Sequence, residues 1–321
     1  MLSVPLSVLD RSRTRVGETE AETLRATVEL AQQVEELGYK RFWVSEHHSV
    51  PGVVGSAPTV LAAAVAARTD RIRVGTGGVM LPNHQPLVVA EQFGVLESLY
   101  PGRIDMGLGR SVGFTNGVRR ALGVDKDAAE DFISQVQELL AYLAGTSTDQ
   151  VHARPGEGLH IPPFVLAVGE GTTIAASLGL PVVLAARSDS AALLEDYRST
   201  FRPSAWASEP YVILAVTAAI ADSTEAARQL LLPEAWAGAY SRTRGVFPPL
   251  QPDVPESMTA REQEFFENAL RGQIYGTSAD VDEALADLVR RTAADELLIT
   301  TNTFDRGALL ANYAALAKLS G

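Results

Sequence analysis

The sequence predicts an α/β protein, a (β/α)8 TIM barrel with loop insertions. Three observations carry that expectation. Short apolar runs alternate with amphipathic segments eight times along the 321 residues, and continuous βα alternation implies a parallel sheet. No shift in composition marks a boundary, so one closed barrel over residues 1–321 is expected in place of an open sheet. The chain exceeds the about 250 residues of a typical barrel, which leaves room for an irregular insertion around 240–256.

Taken in order, Leu2 to Leu9 is the first apolar run and the first expected strand. Glu18 to Leu37 is a helix, because Leu24, Val28, Ala31, Val34 and Leu37 recur at helical spacing before the capping Gly38. Arg41 to Ser45 is the second strand and ends at Glu46-His47-His48. Ala57 to Arg68 is an Ala-rich helix with Pro58 in its first turn, where a missing N–H costs little. Ile72 to Thr76 is the third strand. Pro86 to Leu99 is a helix with Val89, Phe93, Leu96 and Leu99 on one face, and Pro101-Gly102 turns into a fourth strand, Arg103 to Gly107.

A polar loop is expected over 111–126, then a helix from Ala128 to Leu143 through Phe132, Val136 and Leu139. Strands five and six are expected at Phe164 to Val168 and Leu180 to Ala186, with helices at Thr172 to Leu178 and Ala191 to Phe201. Tyr211 to Ile220 reads as one long seventh strand, followed by a helix from Ser223 to about Leu232. Pro248, Pro249, Pro252 and Pro255 mark the insertion. Helices at Met258 to Arg271 and Ser278 to Arg291, a last strand at Glu296 to Thr300 and a helix from Arg306 to Leu319 complete the barrel.

Composition narrows the function. The net charge of −12 opposes nonspecific contact with nucleic acid or an anionic membrane. With no cysteine, disulfides, zinc–thiolate sites, iron–sulfur clusters and thiol nucleophiles are excluded. The first residues, MLSVPLSVLDRSR, lack the basic region and cleavage site of a signal peptide. No run reaches the about 20 apolar residues of a membrane span. A cytoplasmic protein is expected.

Barrel chemistry sits at the carboxyl ends of the strands. That rule directs attention to Ser7–Asp10, Ser45–His48, Gly75–Val79, Gly107–Gly113, Gly169–Thr173, Ala186–Asp189 and Thr300–Asn302. Glu46-His47-His48 gathers three titratable side chains at one strand end. The cluster suits acid–base or hydrogen-bonding work on a ligand, and histidine with carboxylate also suits a metal. Neighbours on a strand point to opposite sides, however, which sets Glu46 and His47 against sharing one ion. The bland alternative is a histidine that satisfies backbone groups. Gly75, Gly77 and Gly78 mark either an ordinary turn or a close backbone approach. Arg110 is the natural anion partner, since guanidinium binds phosphate bidentately; an ordinary ion pair is the alternative. Gly169, Thr172 and Thr173 offer N–H and hydroxyl donors at a helix start, a pattern a plain N-cap shares, and Glu170 opposes an anion there. No G-x-S-x-G elbow or Walker-type loop is present.

The strand-end EHH at 46–48 and the run RVGTGGVMLPNHQPLVVAEQFGVLESLYPGRIDMGLGR at 73–110 resemble the bacterial luciferase-like flavin-dependent monooxygenases. The late run GTSADVDEALADLVRRTAADELLITT at 276–301 is similar to that family's closing βα unit. The resemblance implies reduced FMN across the strand ends, O2 and a small organic substrate as reactants, a separate flavin reductase as partner, and a homodimer built on the early helices. It maps the active-site histidine to His47 and the phosphate-binding arginine to Arg110. It places an unusual cis peptide at Gly77-Gly78, and Gly109 where luciferase proper has a reactive cysteine. In this chain the phosphate turn is altered to VGEGTT, Arg187-Ser188 follows strand six, and Asn302 stands at the end of strand eight. The alternatives are the same barrel using the deazaflavin F420, a flavin-binding protein without turnover, and, more distantly, a metal hydrolase.

Overall fold

The computed structural model describes residues 2–147, 150–169 and 171–320. In chain order these form β1 (Leu6–Asp10), α1 (Glu20–Glu36), β2 (Arg41–Val44), α2 (Pro58–Ala66), β3 (Arg73–Thr76), β4 (Val79–Met80), α3 (Pro86–Leu99), β5 (Ile104–Gly109), α4 (Asn116–Leu122) and α5 (Phe132–Ala144). There follow β6 (Pro163–Ala167), α6 (Gly171–Leu178), β7 (Val182–Ala185), α7 (Ser190–Thr200), β8 (Val212–Val216) and β9 (Ala218–Ile220). The chain ends with α8 (Thr224–Arg244), α9 (Ala260–Leu270), β10 (Ile274–Gly276), α10 (Ser278–Thr292), β11 (Glu296–Ile299) and α11 (Arg306–Ala317).

Eight parallel strands close a barrel in the order β3-β2-β1-β11-β8-β7-β6-β5, and β5 pairs back onto β3. β4 continues β3 beyond Gly77-Gly78 and stays beside β5, with Val79 opposite Leu108 and Met80 opposite Gly109. The strands alternate as a barrel requires. Val8, Phe42, Val44, Leu297 and Ile299 face the helices, while Trp43, Phe164, Val183, Ile213 and Leu298 fill the interior. Trp43 and Phe164 meet edge to face at 5.1 Å. Gly75 is required by this packing: a Cβ there would lie 2.9 Å from the Trp43 indole nitrogen and would strike the Asp105 carbonyl.

The amino-terminal end of the barrel is plugged by buried ions. Arg41 reaches Asp105 at 2.7 Å and Glu296 at 2.9 Å. Arg73 adds a 2.7 Å contact to Asp105, and the Trp43 indole donates to the same carboxylate at 3.1 Å. Removing one partner from such a group leaves a buried charge uncompensated, which costs about 3–5 kcal/mol. Helix starts are fixed locally: capping boxes join Thr19 with Glu22, Thr259 with Glu262 and Thr277 with Asp280, and losing such a cap costs typically about 1 kcal/mol.

Three expectations need correction. The seventh strand is not continuous to Ile220. β8 ends at Val216, and β9 leaves the barrel to pair with β10, a strand the sequence reading lacked. The displaced backbone is taken up by side chains. Thr301 Oγ1 accepts from Ala218 N and donates to Ala218 O, while Asn312 accepts from Ile220 N. The polar loop over 111–126 contains α4, capped by Thr115 and ended by Gly123 in the left-handed region. The irregular insertion starts at Gly245 and not at 240, because α8 runs through Pro233 to Arg244. Its packing on α9 around Trp236 and Phe266 holds the helix past that proline. Beyond it, Leu250 bridges to Arg15.

Candidate active site

The mouth at the carboxyl ends of the strands holds a cavity of about 1220 Å³. Leu9 of β1, Ala185 of β7, Ala215 and Val216 of β8 and Thr300 after β11 line its barrel side. Leu231, Glu234, Ala235, Gly238, Ser241 and Arg242 face it from α8, so one side of that helix forms a wall.

β2 delivers Glu46-His47-His48 to the rim. The Glu46 side chain is fully buried. His48 Nε2 lies 2.6 Å from its Oε1, and His84 Nε2 lies 2.9 and 3.1 Å from its two oxygens. The Met80 N–H donates to Oε2 at 2.9 Å. Burial alone would raise this carboxyl, but His84, the Met80 N–H and His48 outweigh it and hold it below the usual carboxylate range. Glu46, His48 and His84 bring three ligand atoms within 4.8 Å of one another. The contacts of 2.6–3.1 Å are hydrogen-bond lengths. These contacts clamp the end of β2 to β4 through the Met80 N–H.

His47 is half-buried. Its backbone N–H donates to Gly55 O at 2.8 Å, and its Nδ1 lies 3.1 Å from Ser45 Oγ. The ring stacks on Phe114 at 6.2 Å between centroids. Burial first, then the Arg11 and Arg13 guanidiniums, push its pKa down from 6.5 to about 4. The imidazole is therefore neutral at pH 7, fit to accept a proton or a hydrogen bond and unfit to act as an acid there.

Gly77 and Gly78 are both buried, and the peptide bond between them is cis, at the place where the resemblance put it. A Cβ on Gly77 would lie 2.6 Å from Leu9 Cδ1, and one on Gly78 would lie 2.7 Å from Gly107 O. Gly77 thus abuts the side chain that lines the cavity. Arg110 is exposed at the end of β5, and its Nε donates to Ala129 O at 3.0 Å. That bond fixes one edge of the guanidinium and leaves both Nη atoms without a protein partner among the described residues. At the β6–α6 turn, Gly169 is in the left-handed region and a Cβ there would meet open space. Thr172 is buried, and both its N–H (3.2 Å) and its hydroxyl (3.1 Å) go to Gly169 O. Thr173 is exposed. Glu170 lies outside the described residues.

His47, Gly77-Gly78 and Arg110 therefore stand on three adjoining strands of the barrel, β2, β3 and β5. The Gly169–Thr173 turn follows on the next strand, β6. None of them lines the large cavity, whose walls come from β1, β7, β8, β10, α8, α9 and α10. Sequence reasoning missed four residues around the mouth: Arg11, Arg13, Glu234 and His84. Arg11 and Arg13 follow directly on the β1 end. Glu234 binds both, at 2.6 and 2.9 Å, and their charges hold its carboxyl low against the effect of burial. His84 was visible within the quoted motif but carried no assignment.

A family model described as luciferase-like monooxygenase matches residues 4–302. The uncharacterized protein YvbT of Bacillus subtilis (strain 168) is 39% identical over 325 residues, covering 97% of this chain and 95% of that protein. A luciferase-like monooxygenase of Escherichia coli (strain K12) is 34% identical over 322 residues, covering 97% and 95%. The crystal structure of apo-MsnO8 superposes with a TM-score of 0.87 at 30% identity, covering 99% of this chain and 98% of that one.

Proposed function

The chain belongs to the luciferase-like monooxygenase family of oxidoreductases, and from that premise we propose that it uses reduced FMN and O2 to oxidise a small organic substrate, the reduced flavin coming from a separate reductase. The observation that carries this reading is the alignment of His47, Gly77-Gly78 and Arg110 on the adjoining strands β2, β3 and β5. The donor set fits the cofactor. Two free guanidinium nitrogens on Arg110 match a phosphate, and Gly169 with Thr173 extends the cradle, while Thr172 shapes the turn. Gly77 and Gly78 present bare backbone to a flat ring. Bound reduced flavin supplies the electrons and the reactivity towards O2.

The residues of this chain bind, orient and exclude water. Ser45 holds His47 through Nδ1, so Nε2 is the atom directed at the reacting groups, where a neutral imidazole accepts a hydrogen bond or a proton. Phe114, 63% exposed in the free protein, covers the ring face of His47 and limits access of water. A single barrel domain, a cytoplasmic location and a homodimer complete the proposal. The dimer is supported by exposed Val60 on α2 and Val88, Val95 and Leu99 on α3, which analytical ultracentrifugation would test.

The same barrel with F420 is the second reading. Its fold relatives include an FMN complex of the oxygenating constituent of 3,6-diketocamphane monooxygenase (TM-score 0.75, 15% identity) and an F420-dependent secondary alcohol dehydrogenase (0.73, 12%). F420 has a longer acidic tail, and five arginines against two carboxylates line the large cavity. Equilibrium dialysis against FMN and F420, both reduced and oxidised, separates the readings: preference for reduced FMN supports the first, preference for F420 the second. A His47→Ala variant should keep flavin affinity and lose about 10²–10⁴-fold in product formation. Full turnover by that variant would remove His47 from the chemistry.

A further inference from the structure

We propose that Glu46, His48 and His84 form a binding site for a divalent first-row transition cation, with zinc as the best match, at the rim of the barrel. The inference is independent of the flavin reading, because it uses none of the residues assigned there to FMN.

A buried charge without a counter-ion is the first support. The side chains of Asp105, Glu296 and Glu46 are all fully buried. Asp105 and Glu296 share the Arg41 guanidinium, and Glu296 also meets Lys40 at 3.2 Å. Glu46 has no arginine or lysine partner among the described residues. Its contacts are His48, His84 and the Met80 N–H. Buried charges are paired or coordinate metals, and an imidazole supplies a hydrogen bond but no full charge while its ring is neutral. A dication held between the carboxylate and the two rings supplies that charge.

The donor geometry is the second support. His48 Nε2 and His84 Nε2 lie 2.6 and 2.9 Å from the same oxygen, Glu46 Oε1, so both ring nitrogens converge on one point. Glu46 and His48 are two residues apart, which in an extended segment puts them on one side. His47, between them, is engaged with Ser45 and Phe114 instead. His84 arrives from the turn between β4 and α3, where its own N–H donates to Leu81 O at 2.9 Å. The Met80 N–H holds Glu46 Oε2 at 2.9 Å, the kind of outer bond that orients a ligating carboxylate. Two imidazoles and one carboxylate are a known zinc donor set, with water in the fourth position. The chain has no cysteine to offer a softer site. The His48 and His84 side chains are 19% and 31% exposed, which gives the ion an entry and the water a place. Ligand atoms about 2.0–2.1 Å from zinc at tetrahedral angles stand about 3.3 Å apart. The two rings therefore open by about 0.4–0.7 Å as the ion replaces their hydrogen bonds to Oε1.

The test uses the full-length chain without an affinity tag, dialysed first against a chelator and then against plain buffer. Zinc is titrated calorimetrically into wild type, His48→Gln, His84→Gln and, as a surface control, His152→Ala, whose exposed ring pairs with Glu157 at 2.7 Å. Glutamine keeps an N–H donor for Glu46 but removes the imidazole ligand, so it separates a cation site from a hydrogen-bonded clamp. Wild type should bind one zinc per chain and melt at a higher temperature with it. Both glutamine variants should bind at least about tenfold more weakly and lose that rise, while His152→Ala should match wild type. Cobalt(II) in place of zinc should give wild type the visible d–d absorption of a four-coordinate nitrogen–oxygen site, a readout that needs no variant to fold. No saturable zinc binding by wild type, wild-type affinity in either glutamine variant, or loss of binding in His152→Ala overturns the proposal. Cobalt absorption that stays that of the hydrated ion overturns it as well. Absence of FMN binding with zinc binding intact contradicts the FMN reading and leaves the cation site standing.

Discussion

The depressed pKa of His47 makes a quantitative prediction about stability. Burial and the nearby Arg11 and Arg13 disfavour its cation, Glu46 favours it, and His48 adds to the opposition. The result is a fall from 6.5 to about 4 on folding. Between those values the unfolded chain binds a proton that the folded chain refuses. Stability from this group is therefore full above the unfolded pKa and is lost as pH falls towards 4. Linkage over these two values gives about 2.4 kcal/mol lost between pH 7 and pH 4.5. A His47→Gln variant lacks the titrating group, so its stability should fall by about 2.4 kcal/mol less over the same interval. For a chain of 321 residues, that corresponds to about 3.5 °C in melting temperature at an unfolding entropy near 2.1 cal/mol/K per residue. Urea unfolding of both proteins at pH 7 and 4.5 measures the difference. Parallel losses in the two proteins would refute a half-buried, neutral His47. A greater loss in the variant would mean that folding favours the cation.

Three further substitutions probe the framework. Asp105→Asn at the closed end of the barrel should cost about 3–5 kcal/mol in urea unfolding and leave flavin affinity unchanged; a loss below about 1 kcal/mol would show that Arg41 and Arg73 do not depend on this carboxylate. Gly78→Ala should destabilise by about 1–3 kcal/mol and by more than Gly77→Ala, because its Cβ meets the Gly107 backbone oxygen whereas that of Gly77 meets a movable leucine methyl. The reverse order in melting temperatures would contradict that account. Glu46→Gln should cost about 1–3 kcal/mol by weakening the hydrogen bonds from Met80, His48 and His84. Amide exchange at Met80 should rise in parallel, and unchanged protection there would remove the clamp.

Elements whose signals are local were legible in the sequence. Pro86 at the first turn and the stripe Val89, Phe93 and Leu96 place α3 at Pro86–Leu99, as expected. The eight-strand barrel followed from alternation alone. What stayed hidden depends on distant partners. Val212–Ile220 is uniformly apolar except at Thr217, so nothing in the run reveals that β9 swings out to β10; Thr301 and Asn312, more than 80 residues later, make that possible. The Arg11–Glu234 contact spans 223 positions. By contrast, the ends of α4 were written in Thr115 and Gly123, and only the surrounding polarity masked them.

The central claim is that reduced FMN binds across the ends of β2, β3, β5 and β6 and reacts there with O2. The most direct measurement is an anaerobic titration of the protein with reduced FMN followed by rapid mixing with O2, on wild type and on Arg110→Gln. Saturable binding in wild type, weakened about tenfold or more in the variant, with flavin reoxidation altered from that of free flavin, is the predicted result. Reduced FMN that reoxidises in the presence of the protein as it does in buffer, with no saturable binding, would contradict it.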